Sequence, residues 1–201
     1  MDDRLKRRIR VMRELMKRLD GTELGLRRRT GGRMDLLTSF NCDILMYVLF
    51  LSGSDDRVDE SEALIVRRYL GYDVTVEDLE NYISEHRLSV DSFTLETPLT
   101  LQALCHADRE IRSERYQKEM RGEAGPEEDY VPASILLREI YQGLGEAVVY
   151  SDADVDESEN RDYTTFLAQV DAYILDALGM TEEELQDKRE LLLQDAGRDE
   201  V

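Results

Sequence analysis

The chain has no tryptophan, 4 phenylalanines, 3 prolines and 2 cysteines in 201 residues, and each shortage excludes something. So few prolines leave few forced breaks, which suits long helices. Two cysteines cannot staple a disulfide scaffold. The opening "MDDRLKRRIR" lacks the apolar centre of a secretory signal, so Cys42 and Cys105 are expected to be reduced, buried thiols of a cytoplasmic protein. The most apolar run, "CDILMYVLFLSG", is too short to cross a bilayer and carries Asp43. Apolar and polar residues never alternate for more than a few positions, so no strand is expected.

What is present points one way. Hydrophobic residues make up 41% of the chain and charged residues 35%, and Leu, Glu, Arg, Met and Ala, all good helix formers, dominate. The net charge of −19 is unevenly spread. Residues 1–33 hold 12 Lys/Arg against 5 Asp/Glu, a balance of +7, and the rest holds 14 against 40, a balance of −26. Such an acidic body repels nucleic acid and anionic membrane, so no nucleic-acid partner is expected. Peripheral membrane contact is open only to the basic leader.

About eight helices can be placed. Leu5, Ile9, Met12, Leu15, Met16 and Leu19 form an amphipathic stripe in the leader. "GTELGLRRRTGGR" reads as a Gly/Arg linker, and a long apolar helix runs from Met34 to Gly53. Asp59 with Glu62, and Thr181 with Glu184, have capping-box spacing, while Gly71 suits a helix C-cap. Thr75 caps a further helix, Pro98 takes the first helical position of the next, and another covers Pro132 to Tyr150. The expectation is an all-α, bundle-like domain over 34–201, preceded by the leader helix and linker of 1–33.

One phrase occurs twice. Ser54 to Glu62 reads "SDDRVDESE" and Ser151 to Glu159 reads "SDADVDESE", sharing seven of nine residues at an offset of 97. The same offset aligns Ile44, Tyr47 and Leu51 with Tyr141, Leu144 and Val148, and Val66, Tyr69 and Leu70 with Tyr163, Phe166 and Leu167. Both sets have the spacing of a buried helical face. The unit is a buried helix, an acidic turn and a second buried helix. An internal duplication is expected, with units of about 34–86 and 132–196 in a pseudo-twofold arrangement.

The acidic phrases have two readings. As caps, Asp59 and Glu62, and likewise Asp156 and Glu159, satisfy free amides at a helix start. Asp55 and Asp152 lie outside that role, and Val58 and Val155 are expected to plug the turns from beneath. As ligands, Asp55, Glu62, Asp152 and Glu159 would converge on a divalent cation, calcium foremost, since hard ions take oxygen donors. "DADVDESE" opens like an EF-hand but has Glu157 where that loop needs glycine and Tyr163 where it needs glutamate, so it is not one.

With these residues in view, the chain resembles the TerB-like family, whose name comes from tellurite-resistance proteins. The family motif is an "AxADGxVxxxE"-type turn between two helices, repeated about a hundred residues later. "LSGSDDRVDESE" places Asp55, Val58 and Glu62 at its aspartate, hydrophobic and glutamate positions, and "VVYSDADVDESE" places Asp152, Val155 and Glu159 there. The likeness spans about Met34 to Leu178 and departs at the glycine, which is Asp56 or Ala153 here. It implies an all-helical, non-enzymatic module with metal-binding acidic turns, working in stress-response or membrane-associated complexes.

Other constellations read as structural. Cys105 and His106 are adjacent on a helix and point about 100° apart, so they do not form a nucleophile–base pair. His106 and Glu110 share a face and read as a surface hydrogen bond; His86 reads as a contact at a helix C-terminus. No P-loop or dinucleotide fingerprint occurs, and an acid–base hydrolase would lack a nucleophile. The leader is expected to dock on the acidic body or on a protein partner, with Arg7, Arg10, Arg28 and Arg29 as its contact residues. The second reading of the whole chain is therefore an adaptor that engages a larger machine through that helix.

Overall fold

The computed structural model describes residues 2–20, 35–52, 58–85, 97–121, 130–150 and 157–198. Among the described residues there are eight α-helices and no strand. They are α1 (Asp2–Asp20), α2 (Leu36–Ser52), α3 (Glu60–Ile65), α4 (Val76–Glu85), α5 (Leu99–Met120), α6 (Ala133–Val149), α7 (Glu157–Leu178) and α8 (Glu182–Arg198). A π-helical turn, Val66–Leu70, continues α3 and ends at Gly71, whose φ of 80° is one that glycine adopts without strain. The Gly/Arg linker at 21–33, the turns at 53–57 and 151–156, and His86 lie outside the described residues.

The core is built around α6, which touches α1, α2, α3, α5, α7 and α8. A helix so surrounded is apolar on nearly every side. Ile135, Leu137, Ile140, Tyr141, Leu144, Val148 and Val149 are all buried. Two glycines let neighbours approach its backbone. A methyl group at Gly143 would meet only the flexible end of Leu5, whereas at Gly145 it would stand 2.3 Å from the Tyr163 ring and 2.4 Å from the Tyr47 hydroxyl.

The faces that the 97-residue offset aligns are buried except at Tyr69, which is partly covered. Three of their rings meet. Tyr47 of α2 stacks on Phe166 of α7 at 4.5 Å between centroids, and Tyr141 of α6 meets both edge-on at 5.1 and 5.0 Å. The segments after the two acidic turns differ, however. The first breaks into α3 and a π turn, whereas α7 runs 22 residues without interruption.

Helix α1 packs into this core. Leu5, Ile9, Met12 and Met16 are buried, and its polar side adds fixed contacts. Arg13 donates to the Asn41 side chain at 3.0 Å and to the Leu70 carbonyl at 2.9 Å, and Arg4 donates to the Leu193 carbonyl at 2.6 Å.

Three core helices have their first amides held by an aspartate from an earlier helix. Asp20, ending α1, accepts from Leu36 and Leu37 N–H at 2.7 and 3.3 Å. Asp43 of α2 accepts from the Thr100 N–H at 3.0 Å and its hydroxyl at 2.5 Å. Asp108 of α5 accepts from Ala133 and Ser134 N–H at 2.9 and 2.8 Å and from the Tyr130 hydroxyl at 2.8 Å. By contrast α3, α4 and α8 are capped locally, by Asp59 with Glu62, Thr75 with Asp78, and Thr181 with Glu184. Pro98 stands just before the first residue of α5 rather than within it, its carbonyl accepting from the Gln102 N–H at 3.1 Å.

Two outcomes are expected from substitution. Asp108→Ala strips the buried start of α6 of its acceptors and is expected to cost roughly 2–4 kcal/mol in urea unfolding, against about 1 kcal/mol for Thr181→Ala at the exposed start of α8. Gly145→Ala is expected to cost about 2 kcal/mol through overpacking against Tyr47 and Tyr163. Gly143→Ala, facing only Leu5, is expected to stay near wild type in the same melts.

Candidate functional site

The acidic phrases deliver Glu62 to the first turn of α3 and Glu159 to the first turn of α7. Around the first the local geometry is complete. Asp59 accepts from the Glu62 N–H at 3.0 Å, and the Glu62 carboxylate accepts from the Asp59 N–H at 2.9 Å, closing the expected capping box. Val58 is buried beneath it, in the plug position. The pattern Asp-x-x-Glu before an apolar run forces this arrangement, because both carboxylates find amides that the helix leaves open.

Glu62 does more than cap. It is 5% exposed, and burial pushes its carboxyl up to about 8, against the opposing pull of the Asp59 N–H. The charges of Asp59 and of Glu159 push it the same way. The glutamates of the two phrases thus lie within electrostatic reach of each other. The Ser52 hydroxyl is buried beside Glu62 and, like the Asp59 N–H, pulls its carboxyl down against the effect of burial.

The donors present fit a hard divalent cation in kind. They are oxygens from two helix starts, with the Ser52 hydroxyl beside them, and such ions take about six to eight oxygens. The described residues do not complete a set: among them no three of His, Cys, Asp and Glu gather as a metal site would require. Asp55 and Asp152, the other two expected ligands, lie outside the described residues, as do Val155 and Asp156.

Arg7 and Arg10 are exposed on the outer side of α1, and Arg28 and Arg29 lie outside the described residues. Arg4, Arg8 and Arg13 fasten α1 to the body.

Arg8 belongs to a buried charge network that sequence reading missed. Glu139 of α6, 4% exposed, is shared by Arg189 of α8 at 2.7 Å, Arg138 at 3.1 Å and Arg8 at 3.7 Å. Arg138 also holds Asp171 of α7 through two parallel bonds of 2.8 and 3.0 Å, and contacts Gln142. Burial works against the Arg138 charge, but the Asp171 pair outweighs it and raises the guanidinium above its ordinary value. One polar cluster thereby joins α1, α6, α7 and α8. The signal was present in "LLREIYQGLGE", where charged residues sit in a helix that is otherwise apolar all round.

The two thiols part company. Cys105 is buried, and burial raises its thiol to about 12, which removes it as a nucleophile. Cys42 is exposed, contrary to the expectation of a buried thiol, because it lies off the buried Phe40–Ile44–Tyr47 stripe of α2. His106 Nε2 lies 3.2 Å from Glu110 with both side chains substantially exposed, as a surface contact would.

The sign of the Glu62 titration gives a test. A carboxyl raised on folding contributes stability fully below its ordinary value of 4.5 and loses that contribution as pH rises through about 8. In metal-stripped protein, Glu62→Gln is therefore expected to gain melting temperature relative to wild type as pH goes from mildly acid to mildly alkaline. A difference that stays flat across that interval would contradict the buried placement.

No family model, curated protein or solved structure matches this chain, so the TerB-like resemblance stands on the two acidic phrases and the helices that flank them.

Proposed function

We propose that the chain is a non-catalytic, TerB-like interaction module whose paired acidic turns take up a divalent cation. What supports this reading is that Glu62 and Glu159, one from each phrase and each in the first turn of its own helix, lie within electrostatic reach of each other. Asp55 and Asp152, in the turns that lead into those helices, would supply further oxygens. The cation would offset the carboxylate repulsion and hold the two helix starts in one relative position. That position then fixes the surface shown to a partner. Calcium suits an all-oxygen donor set, and a stress-response or membrane-associated complex is the context the resemblance implies.

A second reading has its own support. Arg7 and Arg10 face outward from α1, with the apolar side of that helix committed to the core. They could present a basic strip to an acidic protein partner while the acidic turns only cap helices. Removing residues 1–33 would strip Leu5, Ile9, Met12 and Met16 from the core. Arg7→Glu/Arg10→Glu is thus the variant that isolates this role.

Thermal melts of metal-stripped protein, titrated with calcium, magnesium, manganese and zinc at fixed ionic strength, test the first reading. A ligand bound only by the native state stabilises it by about 2.7 kcal/mol at a hundredfold excess over Kd, so the midpoint rises with ligand concentration. The expected result is a selective rise for calcium that Asp55→Ala or Asp152→Ala abolishes. Variants that respond as the wild type does would remove the site.

A further inference from the structure

Along one side of α5, Arg109, Arg112, Ser113 and Tyr116 fall at the i, i+3, i+4 and i+7 positions of a single helical stripe. The acids beside them turn elsewhere. At 3.6 residues per turn, Glu110 and Glu114 lie about 100° and 140° round the helix from Arg109. The four stripe residues and Leu178, the last of α7, line a hollow of about 270 Å³. No Asp or Glu is among the described residues that line it. In a chain of net charge −19, an acid-free hollow with two arginines in its lining is a local reversal of sign.

One part of the hollow is fixed and the rest is open. Arg112 is partly covered and donates to the Leu178 carbonyl at 2.8 Å, which holds its guanidinium against the end of α7. Arg109 and Ser113 are exposed, and so is Tyr116, at 60%. Acids stand on both flanks. Arg109 also lines a second hollow, nearer the start of α5, which holds Asp176. Arg112 also borders a cleft of about 600 Å³ whose α8 wall presents Glu184, Asp187 and Glu190. Those carboxylates repel an anion from either side and leave the acid-free hollow between them as its place.

We propose that this hollow binds the phosphoryl group of a small phosphate monoester. Guanidinium forks match phosphate oxygens two at a time, and two of them offset the charge of a dianion. The Ser113 hydroxyl adds a hydrogen-bond donor. The exposed Tyr116 ring offers a flat apolar surface to the organic part of the ester. A hollow of this size takes a phosphoryl head and little more, and a nucleic-acid strand would have to lie across the flanking carboxylates. Leu178 ends α7 whereas Glu159 stands in its first turn, roughly 28 Å away along the axis. Binding here is therefore independent of the acidic turns and of any cation they hold.

Isothermal titration calorimetry of the metal-stripped full chain at fixed ionic strength tests this, with circular dichroism as the check on folding. The probes are inorganic phosphate, phenyl phosphate and acetate. Both phosphates are expected to saturate one site, phenyl phosphate the more tightly, and acetate to bind roughly tenfold more weakly than phosphate or worse. Arg109→Gln is expected to weaken both phosphates by roughly tenfold or more. Tyr116→Ala is expected to erase the preference for phenyl phosphate and to keep the affinity for phosphate. Lys118→Gln removes the same charge from the opposite side of α5 and is expected to bind as the wild type does. Absence of saturable phosphate binding overturns the proposal, as does acetate that binds as tightly as phosphate. So does wild-type affinity in Arg109→Gln, or an equal loss in Lys118→Gln. Should Arg109→Gln fail to fold, Ser113→Ala takes its place: a several-fold loss is expected, and unchanged affinity overturns the site.

Discussion

A helix that begins inside a protein presents several amides that neither its own turns nor water can satisfy. This chain meets the need with buried or half-buried carboxylates supplied from elsewhere in the fold. Asp43 shows the balance involved: burial raises its carboxyl, and the Thr100 amide and hydroxyl pull it back. Each such bond fixes a helix end against a particular point on another helix, which sets its axial position as well as its start. Asp20 does this between α1 and α2, Asp43 between α2 and α5, and Asp108 between α5 and α6. The three aspartates thereby help set the axial register of α2, α5 and α6.

A second set of polar contacts sets rotation and spacing around α6. Glu139 gathers Arg8, Arg138 and Arg189, so α1, α6 and α8 share one carboxylate, while the Arg138–Asp171 pair brings in α7. Breaking a buried pair by removing one partner leaves an uncompensated charge. The basic leader is therefore committed to the body through Arg8 and Arg13 even as Arg7 and Arg10 remain outward. Surplus positive charge near residue 10 reflects a helix that is half fastener and half surface.

Reading order alone gave the helices, since stripes such as Leu5–Ile9–Met12–Met16 and caps such as Asp59–Glu62 and Thr181–Glu184 are local and obey fixed spacing. It also gave the buried faces on both sides of the acidic phrases. What it did not give depends on partners far along the chain. Asp43 looked like an intruder in an apolar run, because nothing near it reveals the Thr100 amide 57 residues away. Arg138, Glu139 and Asp171 were lost among the 35% of charged residues. Gly143 and Gly145, each costly inside a helix, were the available clue that α6 is approached closely. The candidate site was half legible: the capping box follows from its spacing, whereas the burial that raises Glu62 depends on residues outside its own turn, Ser52 at the end of α2 among them. The π turn before Gly71 had no local sign at all.

The three long-range caps share a direction: in every case the aspartate precedes the helix it holds, by 16, 57 and 25 residues to the first amide each one accepts. A chain made from its N-terminus has therefore already released each acceptor when the amides that need it emerge. Helix α2 finds its anchor at the end of α1, α5 finds one on α2, and α6, the most enclosed, comes last of the three. Assembly can keep pace with synthesis, and no buried helix start has to wait for a residue not yet made.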